Sequence, residues 1–163
     1  MDDKAPQPPP QGFTELPAMG GFSAALAPFY LRIEGDSISV GLTVSDQHIN
    51  SMGICHGGAL TTLADFAAAT GVNVARNTRG GTPTINLTVD FISAAKLGEW
   101  IQADVQLVTL KRRFGFSSGV ITGSDGVVAR FSGSFYLPDH DGMVQATNAG
   151  DGAPDSIREG TSD

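Results

Sequence analysis

Residues Asn50–Asn73, NSMGICHGGALTTLADFAAATGVN, decide how the rest of the chain must fold. The stretch opens on a His-Gly-Gly turn and continues as a nearly all-apolar helix. Leu60, Leu63, Phe66, Ala67 and Val74 recur at helical spacing, and Ala59, Ala64, Ala68 and Ala69 occupy the other faces. A helix apolar on nearly all sides is predicted to be buried, and its alanines let other backbone pack closely against it. One carboxylate, Asp65, stands in its middle with no cation in the helical span. Burying an ionised carboxylate is costly unless it is paired, so Asp65 needs a reason to be there.

On the N-terminal side, Phe29–Glu34 and Ser37–Val44 read as two strands joined by a Gly35-Asp36 hairpin. Ser45–Cys55 is a polar loop that delivers the chain to the helix. On the C-terminal side, Thr82–Phe91 alternates strictly. It places Thr84, Asn86, Thr88 and Asp90 on one face and Ile85, Leu87, Val89 and Phe91 on the other. Glu99–Leu110, Phe114–Thr122 and Val127–Leu137 read as three further strands, with turns at Lys111-Arg112-Arg113 and Ser124-Asp125-Gly126. Leu16–Ala27 is small and apolar and reads as a short helix weakened by Gly20 and Gly21. Residues 1–15 are expected to be a disordered tail because Pro8-Pro9-Pro10 joins neither helix nor sheet. Residues 139–163 are acidic, Gly-rich and aperiodic and read as a second tail, leaving one domain over 16–138. Strands joined by hairpins form an antiparallel sheet, and a single apolar helix must be covered by it. The fold class is therefore α+β, an antiparallel sheet wrapped around one long central helix. Its open sheet edges call for a partner, so a dimer is expected.

The chain has 163 residues, 40% of them hydrophobic, enough for one domain with a real core. A net charge of −7 argues against nucleic acid or an anionic membrane as the main partner. No run approaches the length needed to span a bilayer. The start, MDDKAPQPPPQ, lacks the features of a signal peptide, so a cytoplasmic location is expected. The single cysteine, Cys55, excludes an internal disulfide. No metal site is expected, because His48, His56 and His140 lack ligand spacing with each other or with Cys55.

Asn50, then His56-Gly57-Gly58-Ala59, then Leu63-Ala64-Asp65 resembles the hotdog-fold acyl-CoA thioesterases of the PaaI-like branch. The later LTVDFISAAKLGE, Leu87–Glu99, resembles the same family's strand and following turn, with Ala94 where a proline is common. The likeness covers roughly residues 28–137. It implies the hotdog fold, hydrolysis of an acyl-CoA thioester with coenzyme A entering only as part of the substrate, no separate cofactor, and a homodimer that pairs into a tetramer.

The chemistry of these residues agrees. Gly57 and Gly58 open the helix, where backbone N–H groups lack intrahelical partners and the dipole is positive. Such donors stabilise an oxyanion; the plainer alternative is a flexible helix entry. Asp65 would be the base or nucleophile, against a carboxylate satisfied by Thr61 or Thr62. Gly57 and Asp65 are eight residues apart, so their α-carbons lie about 12 Å apart along one helix. That is too far to serve one carbonyl carbon. If both act, they come from different subunits, with two helices antiparallel across a two-fold axis. Asn50 resembles the family's amide that orients water or the substrate carbonyl, or it caps a loop. Thr84 matches a hydroxyl near the attacking water, or it makes a cross-strand contact. His56 reads as a structural residue of the turn as readily as a catalytic one, and Cys55 as a small buried apolar residue. Arg76, Arg79, Lys111, Arg112 and Arg113 are half of the ten basic residues and sit in two turns. They are candidate contacts for the coenzyme A phosphates, with solvated surface as the alternative. Two other functions remain open: a non-catalytic acyl-CoA-binding module, and a hotdog hydratase or dehydratase.

Overall fold

The computed structural model describes residues 5–17, 20–78 and 81–138. Its elements in chain order are strands β1 (Thr14–Glu15), β2 (Tyr30–Glu34) and β3 (Ser37–Thr43), helix α1 (Gly57–Ala75), and strands β4 (Thr84–Phe91), β5 (Trp100–Lys111), β6 (Phe114–Gly123) and β7 (Gly126–Tyr136). Short 3-10 turns occupy Gly21–Leu26 and Asp46–His48. The expected hairpin between β2 and β3 turns on Gly35, whose φ of 59° suits a residue without a side chain. The seven strands form one antiparallel sheet in the order β1-β2-β3-β5-β6-β7-β4. Helix α1 packs against β3, β4, β5, β6 and β7, so the sheet wraps the helix as its apolar sequence requires.

The wrapping is not symmetrical. Ala59, Leu60, Leu63, Ala64, Ala67, Ala68, Gly71 and Val72 are buried, and they form one stripe at helical spacing. Thr61, Thr62, Asp65, Phe66, Ala69 and Thr70 are only half-buried. The helix is therefore covered on one side, not on nearly all sides, and Asp65 sits on the incompletely covered one. Curvature over the buried stripe comes from register shifts in β5, between Val105 and Leu107, and at Ile121/Thr122. Gly119 pairs with Val105 beside the first shift. A Cβ there would strike the Asp104 carbonyl and stand 2.7 Å from the Phe131 ring.

Two placements differ from the sequence reading. Strand β4 is joined to β5 by a short turn, yet it lies at the far edge of the sheet, paired with β7. Its other edge has no partner strand among the described residues. The N-terminal segment, expected to be a tail, is fastened from Gln7 onward. Gln7 N–H donates to Gly98 O at 2.8 Å, Trp100 N–H donates to Gln7 Oε1 at 3.0 Å, and Phe13 packs edge-on against Trp100. Residues 139–163, with His140, lie outside the described residues, as does Arg79. No helix among the described residues is long and apolar enough to cross a membrane.

Helix α1 begins at a cap that the sequence half disclosed. His56 is the N-cap residue, and its Nδ1 accepts the N–H of Gly58 at 2.8 Å. A Cβ on Gly58 would stand 2.9 Å from that nitrogen, so glycine there makes room for the cap. His56→Ala is expected to lower stability by about 1 kcal/mol, the usual cost of losing a side-chain cap, while His56→Asn, which can also cap, should recover most of it. Urea denaturation midpoints of the three proteins check this.

Candidate active site

Of the four orphan N–H groups at the start of α1, three are taken. His56 N–H donates to His48 O at 2.7 Å, Gly58 N–H to His56 Nδ1 and Ala59 N–H to His56 O at 2.9 Å, and the first intrahelical bond follows from Leu60 N–H to His56 O. The fourth, the N–H of Gly57, has no partner among the described residues. It lies at the positive end of a 19-residue helix. Gly57 lines a cleft of about 360 Å³ together with Asn50, Ile54, Cys55, Leu60, Phe91, Ile92, Ser93 and Ala94. An unpaired donor on a mostly apolar cleft is what a developing oxyanion requires.

Asn50 reaches this cleft from the loop. Its Oδ1 accepts the N–H groups of Met52 at 2.9 Å and Ile54 at 3.4 Å, so it caps the loop as the plainer reading expected. Those bonds fix which end of the amide is oxygen and turn its NH2 group to other uses. The NH2 group has no partner among the described residues, and Asn50 lines the same cleft as Gly57.

Asp65 sits elsewhere. It is half-buried and receives the Thr84 hydroxyl on Oδ1 at 2.8 Å. Thr61 and Thr62, the partners considered from the sequence, instead donate to Gly57 O and Gly58 O one turn back. Thr84 reaches Asp65 because the alternation of β4 is broken. A register shift lies between Thr84 and Asn86: Thr84 stands opposite the buried Phe135, while Asn86 stands opposite Ser134. The irregularity turns Thr84 from the solvent face, where strict alternation had put it, toward the helix. The helix is unbroken from Gly57 to Ala75, so the about 12 Å between Gly57 and Asp65 stands. One protomer holds the two groups in separate places.

Of the candidate basic residues, Arg76 and the Lys111–Arg113 turn lie together, away from the cleft. Arg76 caps the C-terminal end of α1 and donates from Nη2 to Pro138 O at 2.9 Å; the adjacent Leu137 N–H donates to Arg113 O at 2.8 Å. Arg76 and the Lys111–Arg113 turn thus share one corner, near the end of the helix opposite Gly57.

Two features of the cleft wall were not read from the sequence. Ile92–Ala94 belong to a turn that the sequence marks only as a change of direction. Glu99 is buried, and its Oε2 accepts Lys96 N–H at 2.8 Å while Oε1 accepts the N–H and hydroxyl of Ser124 at 2.7 and 2.9 Å. It ties that turn to the β6–β7 hairpin, and Cys55 N–H to Ala95 O at 2.8 Å ties it to the helix start. Burial, with Glu99 adding to it, pushes the Cys55 thiol up to about 11, so it stays protonated and acts as an apolar wall. No cluster of His, Cys, Asp and Glu among the described residues could hold a metal ion. A second cleft of about 310 Å³ on the opposite face of the sheet is lined by Asn86, Leu107, Phe116 and a row of serines. It holds no ionisable side chain.

Known proteins resemble this chain in sequence and in fold. A family model described as Thioesterase superfamily matches residues 52–130. A Pseudomonas aeruginosa protein named "putative esterase" is 31% identical over 130 residues, which cover 79% of this chain and 97% of that protein. The structure of a mutant of the phenylacetic acid degradation protein PaaI from Thermus thermophilus superposes with a TM-score of 0.60 at 26% identity, covering 72% of this chain and 98% of that one. Zebra fish thioesterase superfamily member 2 superposes with a TM-score of 0.65 at 22% identity, covering 74% and 88%. With identity to the Pseudomonas protein running nearly its whole length, and with the family model lying over the helix and the strands that receive it, the chain belongs to the thioesterase superfamily and has its hotdog fold.

Proposed function

We propose that this protein is an acyl-CoA thioesterase whose active site is completed by a second copy of the chain. The observation that carries the reading is the Gly57 N–H, the one donor at the helix start with no partner among the described residues, on the wall of a cleft. The thioester carbonyl oxygen accepts from it and becomes the oxyanion. Asp65 of the opposite subunit takes a proton from water as the water attacks the carbonyl carbon, or attacks that carbon itself. Collapse of the tetrahedral intermediate breaks the C–S bond, and the thiolate leaves as the thiol by taking the proton held on Asp65; where Asp65 itself attacks, the thiolate takes its proton from solvent and water then hydrolyses the acyl–Asp65 anhydride to return the carboxylate. Thr84 holds Asp65 Oδ1, which leaves Oδ2 to face the reacting water. The NH2 group of Asn50 orients water or carbonyl.

Two unfinished surfaces support the dimer. The half-buried stripe of α1 that carries Asp65 lies beside the open edge of β4. An antiparallel copy across a two-fold axis covers both at once and sets each Gly57 opposite the partner's Asp65. Such dimers pairing into a tetramer remain part of the proposal. The hydratase reading needs a His paired with a carboxylate. Here Nδ1 of His56 is spent on capping the helix through Gly58 N–H, which favours a structural role for the ring. An aromatic or medium-chain acyl group is favoured: the cleft is small and mostly apolar, and the Thermus relative is named for phenylacetic acid degradation.

Free-thiol release from a panel of aromatic and aliphatic acyl-CoAs tests the reading. Wild type should release thiol, and Asp65→Asn should be slower by at least about a hundredfold, the range for a lost general base, with its circular dichroism unchanged. Full turnover in the variant ends the role of Asp65. Binding without release by wild type would instead favour the acyl-CoA-binding module.

The basic corner of Arg76 and Lys111–Arg113, with Arg79 alongside in sequence, is proposed to hold the coenzyme A phosphates. Replacing Lys111, Arg112 and Arg113 by Gln should raise KM for an acyl-CoA by more than for the matching acyl-pantetheine, which lacks the nucleotide. Equal effects on both substrates would remove these cations from the site.

A further inference from the structure

The cleft beside Gly57 has one wall that no motif marks. Phe91 ends β4 and points end-on at the helix start. A Cβ built on Gly57 would stand 3.1 Å from Phe91 Cζ and 3.5 Å from both Cε1 and Cε2. The two equal distances mean that the tip of the ring meets the glycine. Phe91 stands opposite Ala129, which is fully buried, yet 56% of Phe91 is exposed. The ring therefore borders the cleft and does not fill the core. Around it, Ile54, Leu60, Ile92 and Ala94 are apolar, and Asn50 and Ser93 are the only polar side chains of the lining.

We propose that Phe91 is the residue that sets the size of acyl group this enzyme accepts, an inference that rests on the thioesterase reading above. A carbonyl oxygen held at Gly57 N–H places the first acyl carbons beside that glycine, within reach of the ring tip. The amide-rich pantetheine arm gains little from an apolar wall, whereas every acyl methylene buried against it is favourable. The ring fills space that a longer or bulkier acyl group would enter. Phe91 supplies neither the main-chain donor at Gly57 nor the carboxylate of Asp65, so the ring acts on choice of substrate through the space it fills.

The test is kcat/KM for a series of straight-chain acyl-CoAs of rising length, with benzoyl- and phenylacetyl-CoA, on wild type, Phe91→Ala and Phe91→Trp. Phe91→Ala should move the preference toward longer or bulkier groups, changing the long-to-short ratio by about tenfold or more, and Phe91→Trp should move it the other way. Opposed shifts establish the role. Variants that change every substrate by the same factor, or leave the ratio unmoved, overturn it. Because Phe91 lies on the open edge strand, light scattering accompanies the assay, and loss of assembly with a uniform loss of rate counts against the proposal. If wild type hydrolyses none of the series, the thioesterase reading fails. Calorimetric Kd values for the same acyl-CoAs then decide Phe91 by the same criterion of opposed shifts in the long-to-short ratio.

Discussion

The distance between Gly57 and Asp65 governs this molecule. Both sit on one unbroken α-helix, and a rise of about 1.5 Å per residue holds them about 12 Å apart whatever the sheet does. No rearrangement within a subunit brings a donor at the first residue of the helix to a carboxylate two turns further on. The rest of the fold is consistent with that limit. The sheet buries one stripe of α1 with alanine and leucine and leaves the stripe bearing Asp65 half-covered. Strand β4 ends the sheet beside that stripe, with a free edge of its own. In the proposed dimer these are not two defects but one surface, and the separation along the helix becomes the separation between two equivalent sites.

The helix start shows how few groups set the site. Four donors emerge there, and the His56 ring nitrogen, the His56 carbonyl and the His48 carbonyl quiet three of them. The remaining donor belongs to Gly57, which lacks the side chain that would crowd Phe91. Gly58 lacks one for a different reason, the His56 ring above it. Two adjacent glycines thus serve two different ends. The wall of the cleft is held independently, by the buried carboxylate of Glu99 between two turns.

Much of this was legible in the sequence, because strong periodicity survives folding. The long apolar helix and the six longer strands are where alternation and helical spacing put them, to within a residue or two. Local pattern says little about which strands become neighbours, and so the displacement of β4 to the far edge was not legible. The contact of Thr84 with Asp65 was hidden for a sharper reason. It depends on a break in register inside β4, and a pattern of perfect alternation in sequence gives no sign of one. Thr84 was still singled out, through resemblance and not through its face. The burial expected of Asp65 was overstated because alanine makes a helix look apolar all round even where it is only half-covered. The docking of Gln7 through three hydrogen bonds was outweighed in the sequence by three prolines and a polar composition. Phe91 read as one more apolar residue of a strand face. That the tip of its ring meets the first residue of the helix is a property of the fold alone.

The shared site is tested most directly by mixing subunits. One variant, Asp65→Asn, lacks the carboxylate; another, Gly57→Pro, lacks the donor at a first helical position, where the backbone accepts proline but its ring crowds Phe91, so circular dichroism first establishes that the variant is folded. Each is assayed alone, and then both are assayed after unfolding and refolding together. The account predicts that the separate variants are nearly inactive and that the mixture regains roughly a quarter of wild-type thiol release, since half of the dimers are mixed and each carries one intact site. A mixture that stays as inactive as its parts, although an affinity tag on one variant carries the other with it through purification, would contradict it.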